Sequence, residues 1–275
     1  MKKLRGIDMK IIYTVFLLSL LSACATTPSG DRRLMLVSSE QMSQMGVTTF
    51  QQMKTAQKIS KDIRKNDYVE CVSYAIINAL PDQWRNKQWE VVVFEDDSAN
   101  AFALPGGKIG VHTGLLEVAE TPSQLATVLG HEVAHVLWRH GNQRISMQML
   151  AQTGLQVADV VSQQSVEGST GRQMLMTGLG LGAQVGVMLP FSRDHEKEAD
   201  RYGLHFMAAA GFDPRQSVTL WRNMEKASAG KRPPEFLSTH PEPQNRIEKL
   251  NKFMGKALEF EQEAKAKGLN PQCAI

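Results

Sequence analysis

The chain has 275 residues, 42% hydrophobic and 21% charged. That is enough to bury a substantial core and is unlike a disordered or fibrous composition. The formal net charge is +3, and Lys2, Lys3, Arg5 and Lys10 against Asp8 account for all of it. The remainder is formally neutral and lacks the basic surplus of a general nucleic-acid binder.

Residues 1–23 read as a lipoprotein signal peptide. The basic start precedes Ile11 to Leu21, an apolar run of signal-peptide length and too short for a membrane span. Met9-Lys10 would still open such a signal, so Met1 and Met9 are both candidate starts. The run ends Leu21-Ser22-Ala23-Cys24, which resembles the lipobox of bacterial lipoproteins. The resemblance implies cleavage before Cys24 and acylation of that cysteine; an ordinary signal with a chance cysteine is the other reading. Ala25 in place of Asp implies sorting to the outer membrane. Residues 24–49 are polar and read as a lipidated N-terminus and tether.

Apolar residues at helical intervals, among them Ile59, Ile63, Val72, Ile76 and Ile77, predict helix from Thr48 to Leu80, stopped by Pro81. Trp89 to Phe94 is a β-branched and aromatic run, hence a buried strand. Two short strands, Asn100 to Leu104 and Lys108 to Val111, flank the turn signal Pro105-Gly106-Gly107. Thr121-Pro122-Ser123-Gln124 opens a helix with capping-box chemistry, and Gly141 is its expected end. Ser192 to Ala210 is a second helix closed by Gly211. Asp213-Pro214-Arg215-Gln216 opens a third, and Pro241 to about Lys267 is a fourth. The uncharged stretch Gln173 to Ser192 has the length of a membrane span, but four glycines favour a buried helix. Cys71 and Cys273 lie in a chain read as exported. They either pair, pinning the tail, or remain separate thiols; the oxidising compartment favours the disulfide.

The central motif is His131-Glu132-Val133-Ala134-His135 on the first of these helices. Positions i and i+4 lie about 40° apart round a helix, so both imidazoles reach one ion. Glu132 sits beside the first of them, where its carboxylate reaches a water on that ion. A catalytic zinc has three protein ligands and an open position. Glu196, in Ser192-Arg193-Asp194-His195-Glu196-Lys197-Glu198-Ala199-Asp200, can supply the third. Asp200, one turn on, can accept a hydrogen bond from the outer nitrogen of a ligand histidine, with His131 the expected partner. His140, His195 and Glu198 read as residues outside the ligand set: His140 at a helix end, His195 on the surface, Glu198 facing away. His112 and His205 read as structural.

These segments, with Ser238-Thr239-His240-Pro241, Arg246-Ile247, Asn100-Ala101-Phe102, Pro105-Gly106-Gly107 and Gly114-Leu115-Leu116, resemble the HtpX/Ste-type gluzincin zinc metallopeptidases, peptidase family M48, in their periplasmic lipoprotein branch. The resemblance covers about residues 50–255, the expected metallopeptidase domain, with 256–275 a helical tail. It implies an α+β fold, mainly helical and zincin-like, with a small sheet beside the motif helix. It implies one Zn2+ held by His131, His135 and Glu196, Glu132 as general base, and Asp200 behind a ligand. His240 is implied either as a resting fourth ligand or as a donor to the oxyanion, and Arg246 as orienting that loop or the substrate. Substrates of such peptidases lie extended along a sheet edge, for which Lys108, Ile109, Gly110 and Val111 are the candidates. The function implied is an endopeptidase acting on misfolded or misassembled envelope proteins at the periplasmic face of the outer membrane. Its partners would be extended polypeptides, the lipid anchor's membrane and envelope assembly machinery, with no nucleic acid. The other reading is a non-catalytic chaperone or adaptor using the same cleft.

Overall fold

The computed structural model of the chain describes residues 24–165, 192–228, 234–240 and 246–274. The signal segment 1–23, the opening Pro241 of the fourth expected helix, and the uncharged stretch as far as residue 191 lie outside the described residues. In chain order come β1 (Cys24–Thr26), β2 (Arg32–Leu34), α1 (Ser39–Ala56), α2 (Ile63–Asn78), α3 (Asp82–Arg85), β3 (Glu90–Phe94), β4 (Ala101–Leu104) and β5 (Lys108–His112). Then follow α4 (Leu115–Val118), α5 (Pro122–Leu137), α6 (His140–Ser165), α7 (Arg193–Ala209), α8 (Gln216–Ser228), α9 (Glu235–Thr239) and α10 (Arg246–Ala266). The fold is α+β and mainly helical. No helix among the described residues is long and apolar enough to cross a membrane.

The chain forms two compact units. In the smaller, which includes residues 24–38 and the part of α6 from Asn142, β1 and β2 pair antiparallel with Cys24 opposite Leu34. Ser146 Oγ accepts from the Leu36 N–H at 2.8 Å, and Asn142 Nδ2 donates to the Val37 carbonyl at 2.6 Å.

The larger unit begins at Ser39 with α1, which runs through the expected tether boundary at 49/50; α10 likewise runs through 255/256. The helix expected over Thr48 to Leu80 is two helices. Its middle turns extended because it pairs with β3: Ser60 N–H donates to Val93 O at 2.8 Å, Glu95 N–H to Lys58 O at 2.7 Å, and Ile59 bridges to Phe94. Asp62 then caps α2, Oδ1 accepting from the N–H groups of Arg64 and Lys65 at 3.0 and 3.3 Å.

The sheet of this unit has the order β3-β5-β4, with β3 parallel and β4 antiparallel to β5. This corrects the expectation that Lys108, Ile109, Gly110 and Val111 form a substrate-binding edge. Gly106 and Gly107, at φ +90° and +75°, reverse the chain after Pro105, so β4 pairs along one side of these residues. Strand β3 pairs along the other, and all of β5 is buried. The edges are β3, partly covered by residues 58–60, and β4, which packs on α5.

Thr121 caps α5, its Oγ1 accepting from Gln124 N–H at 3.2 Å, while Gln124 Oε1 accepts from Glu120 N–H at 2.9 Å. The helix does not run to Gly141. It stops at Leu137, Arg139 takes a left-handed conformation at φ +57°, and α6 starts at His140. Helix α7 is capped by Ser192 and followed by Gly211 at φ +94°. It packs on α5 through two glycines. A Cβ on Gly130 would stand 2.6 Å from the Gly203 carbonyl oxygen, and one on Gly203 would stand 2.6 Å from the His131 nitrogen. Helix α10 packs on α7, and a disulfide between Cys71 and Cys273 joins the tail to α2.

Candidate metal centre

The close glycine contact lies beside His131 on α5. On α7, Glu196, Asp200 and Gly203 follow at i, i+4 and i+7, one face of the helix. The contact therefore sets both carboxylates against the imidazoles of α5. His131 Nε2 and His135 Nε2 stand 3.0 Å apart. Glu196 Oε2 is 3.4 Å from His131 Nε2, and Glu196 Oε1 is 3.4 Å from His135 Nε2. A tetrahedral zinc bound at 2.0–2.1 Å needs donors about 3.4 Å apart, so this triangle fits one such ion. His240, just past α9, brings Nδ1 to 3.1 Å from Glu196 Oε1 and 3.2 Å from His131 Nε2. One donor atom from each of the four residues lies within 4.8 Å of the others, and all four are buried.

The surroundings favour a cation. When ionised, the buried carboxylates of Glu132, Glu196 and Asp200 outnumber the Arg246 guanidinium, the one buried guanidinium among the described residues, by two charges, which one divalent ion balances. Arg246 donates from Nε to Asp200 Oδ2 at 2.7 Å and from Nη2 to Glu196 Oε2 at 2.6 Å. Its guanidinium also lies 3.9 Å from the Trp221 ring centre. Burial works to raise the Asp200 carboxyl, but Arg246 and His131 outweigh it and hold it below its ordinary value. Burial likewise opposes ionisation of Glu196, and the three histidines overcome it. For His131, burial alone would lower the imidazole; Asp200 and Glu196 reverse this and push it up to about 9. The field that draws a proton there also draws a metal ion. His135, with burial dominant and His131 and His240 beside it, is held well below its ordinary value, which keeps one ring nitrogen free of a proton to bind a cation.

Glu132 stands apart from the triangle. Its Oε2 accepts from the Ala103 N–H of β4 at 3.3 Å. Its Oε1 is buried, has no hydrogen-bond partner among the described residues, and lies 3.3 Å from His240 Nε2. Burial pushes this carboxyl up, as suits a group that takes and returns a proton.

The pattern of peptidase family M48 matches residues 64–254. The chain belongs to that family. All the residues of the centre lie inside the matched span. Among relatives, the mitochondrial metalloendopeptidase OMA1 of Schizosaccharomyces pombe is 37% identical over 172 residues, 62% of this chain and 48% of that protein. The bovine mitochondrial metalloendopeptidase OMA1 is 34% identical over 179 residues, 62% of this chain and 34% of the relative. The β-barrel assembly-enhancing protease of Escherichia coli K12 is 28% identical over 212 residues, 75% of this chain and 42% of that enzyme. The chain thus spans about half or less of the length of these relatives.

In this M48 chain the structure brings together His131, Glu132, His135, Glu196, Asp200 and His240. Asp200 Oδ1 lies 3.0 Å from His131 Nδ1. Lys108 is not among them; its Nζ pairs with Glu90 Oε2 at 3.1 Å. Ile109, Gly110 and Val111 are held between β3 and β4. His112 Nδ1 lies 2.7 Å from Ser98 Oγ, away from the centre. Two residues that the sequence reading set aside adjoin the centre: His140 and Glu198. His140 is not at the end of the motif helix but opens the next one, and the left-handed turn at Arg139 folds it back against His135.

Proposed function

We propose that this family M48 chain is a zinc-dependent endopeptidase that cleaves misfolded or misassembled envelope proteins at the periplasmic face of the outer membrane. The observation that carries the reading is the His131, His135 and Glu196 triangle with the Glu132 carboxylate beside it and the edge of β4 bonded to that carboxylate. When bound there, zinc supplies Lewis acidity, polarising a scissile carbonyl and acidifying water. Glu132 takes the proton of the attacking water and returns it to the leaving amine. Asp200 and Arg246 hold His131 and Glu196 in place. The Ala101–Leu104 edge, rather than Lys108–Val111, pairs with the backbone of an extended substrate, which suits weak sequence preference. His240, against both Glu132 and Glu196, stands where it either completes the ligand set or donates to the oxyanion.

The location rests on the Leu21-Ser22-Ala23-Cys24 sequence, read as a lipid-attachment signal, on Ala25, and on likeness to the Escherichia coli assembly-enhancing protease. Envelope assembly machinery is accordingly the partner class we assign. The test is hydrolysis of unfolded casein by the full chain, with and without a chelator, beside Glu132→Gln. The variant keeps one Zn2+ per chain and loses about 10²–10⁴-fold in turnover. Equal cleavage by both chains would remove the peptidase reading. Full rescue of a deletion strain by the variant would favour the chaperone or adaptor role instead.

A further inference from the structure

Two side chains behind His135 have no part in the mechanism above. His140 is fully buried. Its Nδ1 lies 2.9 Å from His135 Nδ1, and its Nε2 lies 3.2 Å from Glu198 Oε2. His195 stacks on the His140 ring at 4.3 Å between centres and 14° between planes. Arg139 makes this possible, because its left-handed backbone folds the first residue of α6 back against α5.

The proton positions follow from the geometry. His135 Nε2 faces His131 Nε2 and Glu196 Oε1, so it is the nitrogen that offers a lone pair to a cation. In a neutral ring the hydrogen then sits on Nδ1, and the nearby His140 Nδ1 must accept it. The His140 hydrogen is thereby on Nε2, where it donates to the Glu198 carboxylate. We propose that His140 and Glu198 are positioning residues, a two-step hydrogen-bond relay that locks His135 in the metal-binding tautomer. The proposal rests on the triangle being a metal centre. It makes the two ligand histidines unequal. His131 is backed directly by Asp200, whose side chain is 3% exposed, whereas His135 is backed through a second ring by Glu198, at 16%.

The experiment titrates Zn2+ into the purified full chain against a chromogenic chelator, and Co2+ while its visible absorption is followed. His140→Phe keeps a ring against His195 but has no acceptor. His140→Asn loses the ring but places Oδ1 near the former Nδ1. The relay predicts zinc binding about 10–100-fold weaker in His140→Phe, with a shifted Co2+ spectrum. It predicts His140→Asn close to wild type in both. A packing role alone predicts the reverse order, and that order, or wild-type affinity in His140→Phe, overturns the proposal. Should His140→Phe not fold, Glu198→Gln against Glu198→Ala decides, since only glutamine keeps an acceptor. Weaker zinc binding in the alanine variant alone supports the relay, and equal affinities overturn it. A wild-type chain that binds no Zn2+ removes the metal centre itself, a result distinct from equal binding by wild type and variants.

Discussion

Arg246 shows what the centre demands of a single side chain. It is buried between two carboxylates and donates to both. Removing one partner of a buried ion pair leaves the other uncompensated, which costs about 3–5 kcal/mol. Arg246→Met is therefore expected to destabilise the metal-free chain by about 3–5 kcal/mol, measured as a lower urea midpoint at an unchanged slope. Saturating Zn2+ is expected to narrow the gap without closing it, because the ion offsets two of the three carboxylate charges that the variant leaves without a guanidinium. A variant as stable as wild type without metal would show that Glu196 and Asp200 need no counter-charge. Of these residues, the pair of histidines and the two carboxylates were legible in the sequence as i, i+4 spacings on two helices. Arg246 was visible only as part of a family-like motif, since its depth depends on how α10 packs on α7. His140 was not legible, because nothing about Arg139 as a residue type announces a left-handed turn.

At the scale of elements, the centre depends on how closely α5 approaches α7. Gly203 has no room for a side chain, and its neighbour at that point is backbone, which cannot swing aside. Gly203→Ala is expected to cost about 1–3 kcal/mol in overpacking. It should also weaken Zn2+ binding, because the Glu196 carboxylate moves with the helix. Gly255→Ala on α10 is the control: nothing lies within 4 Å of its added methyl, and the change should stabilise by about 0.4–1 kcal/mol. Chemical denaturation and chelator competition on the two variants check both halves. The starts of α5 and α8 could be read from the opening signals at Thr121 and Asp213, and the end of α7 from Gly211. The order of the sheet could not. The Pro105-Gly106-Gly107 turn pairs its two flanking strands, but nothing in their hydrophobicity says on which side β3 will join. The break at residues 57–62 was hidden for a similar reason, since Ile59 fits a helical stripe as well as a bridge to Phe94.

Over the whole molecule, the tail matters as much as the core. The Cys71–Cys273 bond spans 202 positions, so it restrains a long stretch of the unfolded chain. Its loss through Cys71→Ser is expected to cost about 2–4 kcal/mol, seen as a lower urea midpoint. Adding reductant should bring wild type down to the variant and leave the variant unchanged. The same bond encloses His131, His135, Glu196 and His240. A peptidase that nicks its own backbone anywhere between the two cysteines would shed no fragment. Both pieces would migrate together until the sulfurs were reduced, so autolysis of this chain would escape an ordinary non-reducing gel.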